Sequence, residues 1–281
     1  MSNTSALTYN VSWVAAATGN YWYKVYANDT FNNINNTMSW QSFTIRKPKG
    51  VIAIITPWNF PKAIIHWCSG PSLMEGNTVI VKPSELTPMS GQVVAELFKE
   101  AGFPDGVFNL IHGDGIVGKK LVDDERIDHI AFTGSLEVGK SIRIACTNSS
   151  HKTCSCEMGS KSAIIVMEDA DLDLAVSACI NSAFKLSGQR CVSASRLFVQ
   201  RSILDKFKNL FIREMDNVLI SDPFLKLKQH KNSVVFGPLI SKEQMNRVEQ
   251  FNSMVRNDKD ALVLYDLDKN GRIANKGYYL R

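Results

Sequence analysis

The chain has 281 residues, of which 44% are hydrophobic, 21% charged and 9% aromatic, and its formal net charge is +5. This composition is typical of a globular protein that buries a sizeable core. The mild positive charge lacks the basic blocks that indicate nucleic-acid binding. No apolar run reaches the ~20 residues of a membrane helix, and the N-terminus lacks a charged region followed by an apolar one. We therefore expect a cytoplasmic protein that binds neither nucleic acid nor membrane.

The six cysteines are predicted to be reduced thiols that bind no metal. They stand at positions 68, 146, 154, 156, 179 and 191, without a CxxC pair or a histidine-rich stretch. The usual spacing of zinc ligands is therefore missing. Cys154 and Cys156 would point to the same side of a strand, but that spacing alone is a weak indication of a metal site.

The first 45 residues differ in character from the remainder and are predicted to be an extension rich in asparagine and aromatic residues. The stretch from Tyr21 to Tyr26 alternates as a strand does. Residues 18–28 resemble the last strands of extracellular immunoglobulin-like or fibronectin-like modules. One or two strands cannot close a β-sandwich. We expect residues 1–45 to be β-structure or disordered. A role of this segment in surface adhesion or in a structural protein is left open.

From residue 46 onward, short apolar runs alternate with longer amphipathic stretches. The runs predicted as buried strands are Val51–Ile55, Thr78–Val81, Val107–Ile111, Ile130–Phe132 and Ala163–Val166. The helices predicted between them are Ala63–Met74, Pro88–Ala101, Val117–Val122 and Glu137–Cys146. Strands that alternate with helices form βαβ units, and hence a mostly parallel sheet with helices on both faces. The loops after the strands then lie along one edge of the sheet, where such folds bind ligands.

The ends of the predicted elements are clearest around the second helix. Thr87 is a candidate N-cap, and Pro88 suits the first helical position because an N–H is not needed there. Gly102 is the residue type that commonly follows a helix. The later elements predicted are helices over Leu172–Phe184, Ile203–Val218 and Lys242–Val255, a strand over Ala194–Val199 and a surface loop over Phe224–Val235.

Two loops that follow predicted strands hold candidate binding residues. In the loop over residues 55–61 (ITPWNFP), two prolines restrict the backbone. The loop would hold the amide of Asn59 in a fixed position, from which it can donate to an oxyanion; an ordinary turn is the alternative. After the next strand, Lys82 and Glu85 place a cation and a carboxylate three residues apart, which suits the hydroxyls of a ribose. A surface ion pair is the alternative there.

Two further stretches supply candidates for anion binding and nucleophilic chemistry. Gly134 and Ser135 follow a strand and open a helix, where backbone amides and the helix dipole favour an anion such as pyrophosphate. Cys191 follows a loop that contains Gly188, and it is a candidate nucleophile if its surroundings lower the pKa of the thiol. A small buried residue is the alternative. Glu157 follows a strand-like stretch. A carboxylate in this position is usually solvated or paired with a cation, which is the alternative to a catalytic role.

The chain from about Phe43 to Arg281 resembles the aldehyde dehydrogenase superfamily. The stretches TPWNFP, KPSE, FTGS and GQxC occur in the family's order and close to its spacing. The resemblance implies an α/β fold of the aldehyde dehydrogenase type. A Rossmann-type parallel sheet with helices on both faces would bind NAD over residues 46–156, and residues 157–281 would form an incomplete α/β catalytic domain. It also implies an NAD-dependent enzyme that oxidises a small-molecule aldehyde to a carboxylic acid.

The resemblance also implies roles for individual residues. Cys191 would be the nucleophile that forms a thiohemiacetal and then a thioester, Asn59 the donor to the oxyanion, and Glu157 the general base. Glu85 would accept from the 2′-OH of the adenosine ribose, which favours NAD over NADP because the carboxylate repels a 2′-phosphate. The residues implied to bind NAD are Thr56, Trp58, Lys82, Glu85, Gly134 and Ser135.

The sequence departs from the family in three ways. Ser160 stands where the family has a second glycine after the general base, and Leu136 stands where a small residue is usual. The family is also about twice as long, so we expect a chain truncated at both ends. Family members form homo-oligomers through a terminal strand, which would be missing here. Two alternatives to an active enzyme follow: an inactive remnant that at most binds NAD, and a surface adhesion or structural protein.

Overall fold

The computed structural model describes residues 48–220, 235–264 and 277–278, together with the backbone of five strands within residues 8–45. The chain divides into two units, Met1–Thr133 with Gly139–Cys156, and Gly134–Val138 with Glu157–Arg281. The predicted surface loop over Phe224–Val235 lies almost entirely outside the described residues. The predicted domain limits at residues 45 and 156 stay predictions.

The five described strands within residues 8–45 form two small antiparallel sheets. The strands are β1 Thr8–Asn10, β2 Gly19–Tyr23, β3 Tyr26–Asn28, β4 Ile34–Asn35 and β5 Gln41–Ile45. β3 pairs with β1 and with β4, and β2 pairs with β5. The alternating stretch from Tyr21 to Tyr26 therefore contributes to two strands that belong to different sheets.

The first unit is built on a five-stranded sheet with the order β10-β9-β6-β7-β8. The strands are β6 Val51–Ile55, β7 Thr78–Lys82, β8 Phe108–Leu110, β9 His129–Gly134 and β10 Thr153–Met158. β6, β7, β8 and β9 are parallel. The helices are α1 Ala63–Met74, α2 Pro88–Glu100, α3 Gly115–Asp123 and α4 Leu136–Thr147. The predicted parallel α/β arrangement is thus present.

Helices cover both faces of this sheet, because its central strands are apolar on both sides. Ile52 and Ile54 of β6 belong to one core cluster, and Ala53 and Ile55 belong to another. Side chains alternate between the faces of a strand, so an unbroken apolar run such as VIAII must be buried on both. Each fully buried isoleucine contributes about 1.5–3 kcal/mol relative to exposure, which makes β6 the centre of the unit.

Both ends of α2 lie where the sequence predicted them. Thr87 is the N-cap residue and Pro88 the first helical residue, as the sequence predicted, although the Thr87 side chain makes no capping hydrogen bond. The Thr87 hydroxyl is buried without a hydrogen-bond partner among the described residues. The C-terminal signal was correct. Gly102 has φ of 79° and donates its N–H to the Lys99 carbonyl, a conformation that glycine adopts without steric cost.

The second unit contains the parallel pair β11 Ser162–Val166 and β12 Ala194–Val199. Its helices are α5 Leu172–Phe184, α6 Leu204–Met215 and α7 Lys242–Asn257, and a second parallel pair is β13 Leu219–Ile220 with β14 Val235–Phe236. A helix was predicted over Ile203–Val218. In the structure, a 3-10 turn over Arg201–Ile203 comes first, and α6 follows it. None of the described helices is long and apolar enough to cross a membrane.

Candidate active site

Cys191 lies at the end of a constrained loop in the second unit. The chain leaves α5 through a 3-10 turn, Lys185–Gly188, in which Leu186 and Ser187 both have φ of 57°. A non-glycine residue in this left-handed region costs about 1–3 kcal/mol and persists only where surrounding contacts hold it. The Cys191 side chain is exposed, whereas the other five cysteines are buried or half-buried. All six cysteines belong to the part of the chain that the structure describes.

The contacts that hold this loop come from a segment about fifty residues later. Ser187 Oγ donates to the Gly237 carbonyl at 2.9 Å and accepts from the Gly237 N–H at 3.0 Å. Gln189 Oε1 accepts from the Ile240 N–H at 3.0 Å. Sequence analysis did not identify Ser187 and Gln189 as positioning residues, because their partners are distant in the chain.

The residue before the thiol is bound to the end of α5. Arg190 Nη2 donates to the Asn181 carbonyl at 3.0 Å and to the Ser182 carbonyl at 2.7 Å. A guanidinium at the C-terminal carbonyls of a helix satisfies acceptors that have no partner within the helix and interacts favourably with the helix dipole. In the same turn, Ser182 Oγ accepts from the Ala194 N–H at 3.2 Å. These bonds fix the backbone on either side of Cys191.

Glu157 lies inside β10, although the sequence suggested a position after a strand, and its side chain is exposed. Ser160, the departure from the family pattern, also has an exposed side chain, and its hydroxyl is hydrogen-bonded to the Ser162 hydroxyl at 2.9 Å. Among the described non-glycine residues, only Leu186 and Ser187 have positive φ. Ser160 is therefore free of the left-handed strain that would require glycine.

Lys82 ends β7 with a buried ammonium group. Its side chain is 5% exposed, and Nζ donates to the Pro83 carbonyl at 2.9 Å and to the Gly113 carbonyl at 2.8 Å. Glu85 Oε2 lies 3.8 Å from Nζ on a largely exposed side chain. Burial lowers the pKa of Lys82, and the carboxylates of Glu85 and Asp114 oppose that shift. The sequence left open that Lys82 and Glu85 form a surface ion pair, but the lysine side chain is buried.

The loop over residues 111–114 is part of this site and was missed by sequence analysis. Gly113 has φ of 153°, and a Cβ placed on it would lie 2.3 Å from Val117 Cγ2. The position therefore requires glycine, whose carbonyl then reaches Lys82. Asp114 caps α3, because its side chain accepts from the Ile116 N–H. The sequence could have indicated this loop, because it follows the predicted strand Val107–Ile111, whose carboxyl end lies at the same edge of the sheet as that of β7.

Thr56 follows β6 at that edge of the sheet. Its backbone N–H donates to the Lys82 carbonyl at 3.1 Å, which ties the ends of β6 and β7 together. The residue is 4% exposed, and its hydroxyl has no hydrogen-bond partner among the described residues. A buried hydroxyl without a partner costs free energy unless a ligand or water satisfies it. Trp58 and Asn59 follow in the same loop with half-buried side chains.

Gly134 and Ser135 form the predicted junction between strand and helix. Gly134 is the last residue of β9, and α4 begins at Leu136. Ser135 Oγ accepts from the Val138 N–H at 3.3 Å, which is the geometry of an N-cap. Backbone amides at the N-terminus of a helix and the helix dipole favour an anion at such a point. Among the described residues, no group of three or more acidic, cysteine or histidine side chains is arranged to hold a metal ion.

Known proteins resemble this chain over most of its length. A profile of the aldehyde dehydrogenase family matches residues 5–281. Aldehyde dehydrogenase 1A1 of Oryctolagus cuniculus is 40% identical over 240 residues, 85% of this chain and 46% of that protein. Aldehyde dehydrogenase, cytosolic 1, of Mus musculus is 39% identical over 241 residues, with coverage of 85% and 46%. The structure of an aldehyde dehydrogenase from Bacillus cereus in complex with NAD⁺ is similar with a TM-score of 0.76 and 35% identity, covering 84% of this chain and 46% of that one.

These similarities confirm the α/β fold expected from the sequence motifs. The chain spans about half the length of the curated relatives that it matches. The family match begins at residue 5, inside the segment that the sequence predicted to be a separate extension, and it runs to the last residue. The chain belongs to the aldehyde dehydrogenase family.

Proposed function

We propose that this chain belongs to an enzyme that oxidises an aldehyde to a carboxylic acid with NAD, through a covalent intermediate on Cys191. The observation that supports this most is the exposure of that thiol. Of the six cysteines of this chain, all of which the structure describes, Cys191 alone is exposed. It lies at the end of a loop held by hydrogen bonds of Ser187 and Gln189. A nucleophile must be reachable by substrate and held in one position, and both conditions favour Cys191.

The proposed chemistry assigns one task to each of three side chains. The Cys191 thiolate adds to the aldehyde carbon and forms a thiohemiacetal. By the family resemblance, the Asn59 amide and the Cys191 backbone N–H would donate to the oxyanion that develops. NAD supplies the acceptor for the hydride that leaves this carbon, and a thioester on Cys191 results. Glu157 would then take a proton from the water that attacks the thioester, releasing the carboxylic acid.

The residues proposed to bind NAD fit that group chemically. The buried Thr56 hydroxyl has no partner among the described residues, and Lys82 and Glu85 stand at the same edge of the sheet. Such an edge is where nucleotides bind in parallel α/β folds. The exposed Glu85 carboxylate can accept from a ribose hydroxyl, and it would repel a 2′-phosphate. Ser135 and the amides that follow suit a pyrophosphate, while Gly134 and Trp58 are proposed to complete the site.

Location and partners are proposed on the same basis. The substrate would be a small-molecule aldehyde, and we propose a cytoplasmic protein, since a relative from Mus musculus bears the word cytosolic in its name. We propose no binding to nucleic acid or to a membrane surface. The family resemblance also suggests a homo-oligomer for the protein to which this sequence belongs.

The activity is tested by measuring the absorbance of NADH formed from a panel of aldehydes. We expect the wild-type chain to form NADH and Cys191→Ala to form none, because the nucleophile is absent. Cys68→Ala is the matched control, since this half-buried thiol lies on α1 and has no role in the proposed mechanism. Absence of a signal above Cys191→Ala for every aldehyde would contradict the proposal.

If no aldehyde gives a signal, titration with NAD distinguishes the two alternatives, an inactive remnant that binds NAD and a surface adhesion or structural protein. An inactive remnant would still bind NAD, and Glu85→Gln would weaken that binding about tenfold, or about 1.4 kcal/mol, because a hydrogen bond to a charged acceptor is lost. The same variant would narrow the preference for NAD over NADP. A chain that binds neither cofactor would fit the adhesion or structural role.

A further inference from the structure

The edge strand β8 carries backbone groups that point away from the sheet. Among the described strands, β8 pairs only with β7 and is the outermost member of the five-stranded sheet. The Val79 N–H donates to the Val107 carbonyl at 2.9 Å. Successive residues of a parallel strand alternate in the side to which their backbone bonds, so Val107 and Asn109 bond to β7. The N–H and carbonyl groups of Phe108 and Leu110 therefore face outward, where an added strand can reach them.

A cavity of about 540 Å³ lies beside this edge. It is lined by the three residues of β8, by side chains of α2 and by the turn over residues 103–106. Its volume falls within the range of ligand pockets, about 300–1,000 Å³. The side chains of a strand alternate between its two faces. A strand added to β8 would therefore place a side chain in this cavity.

One wall of the cavity is aromatic. Phe98 of α2 stacks on Phe108 with ring centroids 4.3 Å apart, and it meets Phe103 edge to face at 4.9 Å. Phe103 is 41% exposed, so this wall offers an apolar ring surface to a ligand. Such a surface suits arginine, whose planar guanidinium stacks on aromatic rings and whose stem is apolar.

The charged side chains that line the cavity are Glu96, Lys99 and Asp105. Glu96 Oε1 accepts from Gln92 Nε2 at 2.9 Å. The ion pairs among the described residues include none of these three charged groups. Two carboxylates and one ammonium therefore favour a cation, and neither carboxylate is already paired with one. A guanidinium can bond a carboxylate through two parallel N–H groups.

We propose that the edge of β8 binds an extended peptide segment of another protein, with an arginine side chain in the adjacent cavity. The guanidinium pairs with Asp105 and Glu96, and the stem lies against Phe103. The outward backbone groups of Phe108 and Leu110 bond the main chain of the peptide. In this mode of recognition the main-chain bonds give affinity and the pocket gives specificity. The site uses none of the residues proposed for aldehyde oxidation and does not depend on that function.

The charge of this edge disfavours a second copy of the chain as the occupant. Asp105 is the single charged residue of the stretch over residues 103–111. A symmetric contact places the same surface of both copies together. Pairing of β8 with β8 would therefore bring two carboxylates together without adding a cation, which is repulsive.

The first test uses a fluorescein-labelled peptide of sequence TVRVT with an amidated C-terminus. The full chain is titrated into this peptide, and binding is followed by fluorescence anisotropy. We expect a Kd of about 10 µM to 1 mM, because the interface is small. The matched peptide TVEVT should bind at least about tenfold more weakly, since its glutamate meets two carboxylates. Equal affinity for both peptides, or no binding at about 1 mM, would overturn the proposal.

Variants of the chain test the role of the cavity. Asp105→Asn should raise the Kd for TVRVT about three- to tenfold, because a charge-assisted bond is lost. Asp105 belongs to no ion pair among the described residues, so this variant should fold as the wild type does. Glu100→Gln is the matched control, since this exposed residue ends α2 and does not line the cavity. An unchanged Kd in Asp105→Asn would contradict the assigned site.

Hydrogen exchange shows whether the peptide adds as a strand. Exchange is measured by mass spectrometry on fragments that cover residues 104–111, with and without saturating TVRVT. We expect the amides of Phe108 and Leu110 to exchange at least about fivefold more slowly with the peptide. The Asn109 amide already bonds to β7 and should change less. Binding without protection of Phe108 and Leu110 would rule out strand addition.

Two further outcomes would assign the edge to another occupant and overturn the proposal. Binding of acetyl-arginine-amide as tight as that of TVRVT would mean a site for a small cation, without a role for the main chain. Protection of Phe108 and Leu110 that rises with the concentration of the chain, in the absence of peptide, would mean that a second copy occupies the edge.

Discussion

Replacement of Gly113 by alanine tests whether the loop before α3 positions the buried Lys82. Gly113 has φ of 153°, its carbonyl accepts from Lys82 Nζ at 2.8 Å, and an added Cβ would lie 2.3 Å from Val117 Cγ2 and 2.7 Å from Val117 Cβ. These contacts are too close to be absorbed by a small rotation. Either the first turn of α3 moves or the loop does, and movement of the loop takes the carbonyl from Lys82.

The expected cost of Gly113→Ala combines two effects of the structure. Backbone strain at this φ costs about 1–3 kcal/mol, and overpacking against Val117 costs about 1–3 kcal/mol. One backbone shift relieves part of both, and alanine also restricts the unfolded chain, which returns about 0.4–1 kcal/mol. We therefore expect the free energy of unfolding to fall by about 2–4 kcal/mol.

The measurement is urea denaturation followed by tryptophan fluorescence. All five tryptophans lie at or before residue 67, within the first unit, so the signal reports on the unit that contains Gly113. Gly115→Ala is the matched control, because nothing lies within 4 Å of its added Cβ. That control should be neutral or stabilising by up to about 1 kcal/mol.

A second variant separates the packing effect from the backbone effect. Adding Val117→Ala to Gly113→Ala removes the clash but leaves the strain at φ. The double-mutant cycle should show a coupling of at least about 1 kcal/mol. A loss below about 0.5 kcal/mol in Gly113→Ala, or no coupling with Val117, would refute the reasoning.

Three further predictions concern the core, a titrating histidine and helix caps. Ile54→Ala should lower the free energy of unfolding by about 2–5 kcal/mol and Ile54→Val by about 0.5–1.5 kcal/mol, measured in urea, because Ile54 is fully buried in β6. Burial, and then the Lys49 ammonium, lower the pKa of His129 from 6.5 to about 4. Between these pH values the unfolded chain binds more protons than the folded one, so the free energy of unfolding should fall by about 1–2 kcal/mol as the pH drops from 6.5 to about 4. Urea titrations at several pH values should show this loss in the wild type and not in His129→Gln. Asp171→Ala should cost about 0.5–2 kcal/mol in urea because its carboxylate accepts two amides of α5, whereas Thr87→Ala should cost less, since Thr87 accepts none.

Each of these expectations has an outcome that contradicts it. Equal losses for both Ile54 variants would mean that the cavity left by alanine is filled by its surroundings. A pH profile that His129→Gln shares with the wild type would assign the acid sensitivity to other groups. A larger loss for Thr87→Ala than for Asp171→Ala would mean that the hydroxyl of Thr87 bonds a group outside the described residues.

The central elements of the fold were predictable because their signals are local. The run VIAII became β6 with the predicted bounds, and the helices over Ala63–Met74 and Leu172–Phe184 were predicted residue for residue. An unbroken apolar run of strand length, bounded by turn residues, has few other solutions. β10 was indicated only as a strand-like stretch before Glu157 and was not among the predicted buried strands, because TCSCEM has no apolar run and lies at the edge of the sheet.

The identities of the candidate site residues were predictable, but their surroundings were not. The motifs around Asn59, Lys82 and Cys191 identified the family, which the family match confirms, while the roles of these residues stay proposals. Sequence spacing could not show that Ser187 bonds Gly237 or that Thr56 lacks a partner among the described residues. Such contacts join residues that are far apart in the chain.

What the sequence determined by itself is therefore the order of strands and helices and the family that contains them. Only the tertiary structure decided that Lys82 is buried, because its ammonium is enclosed by the loop of Gly113, thirty-one residues later. It also decided that Cys154, on β10, packs against the core cluster that contains Cys146 of α4. Periodicity and capping act over a few residues, whereas burial and pKa depend on which distant elements pack together.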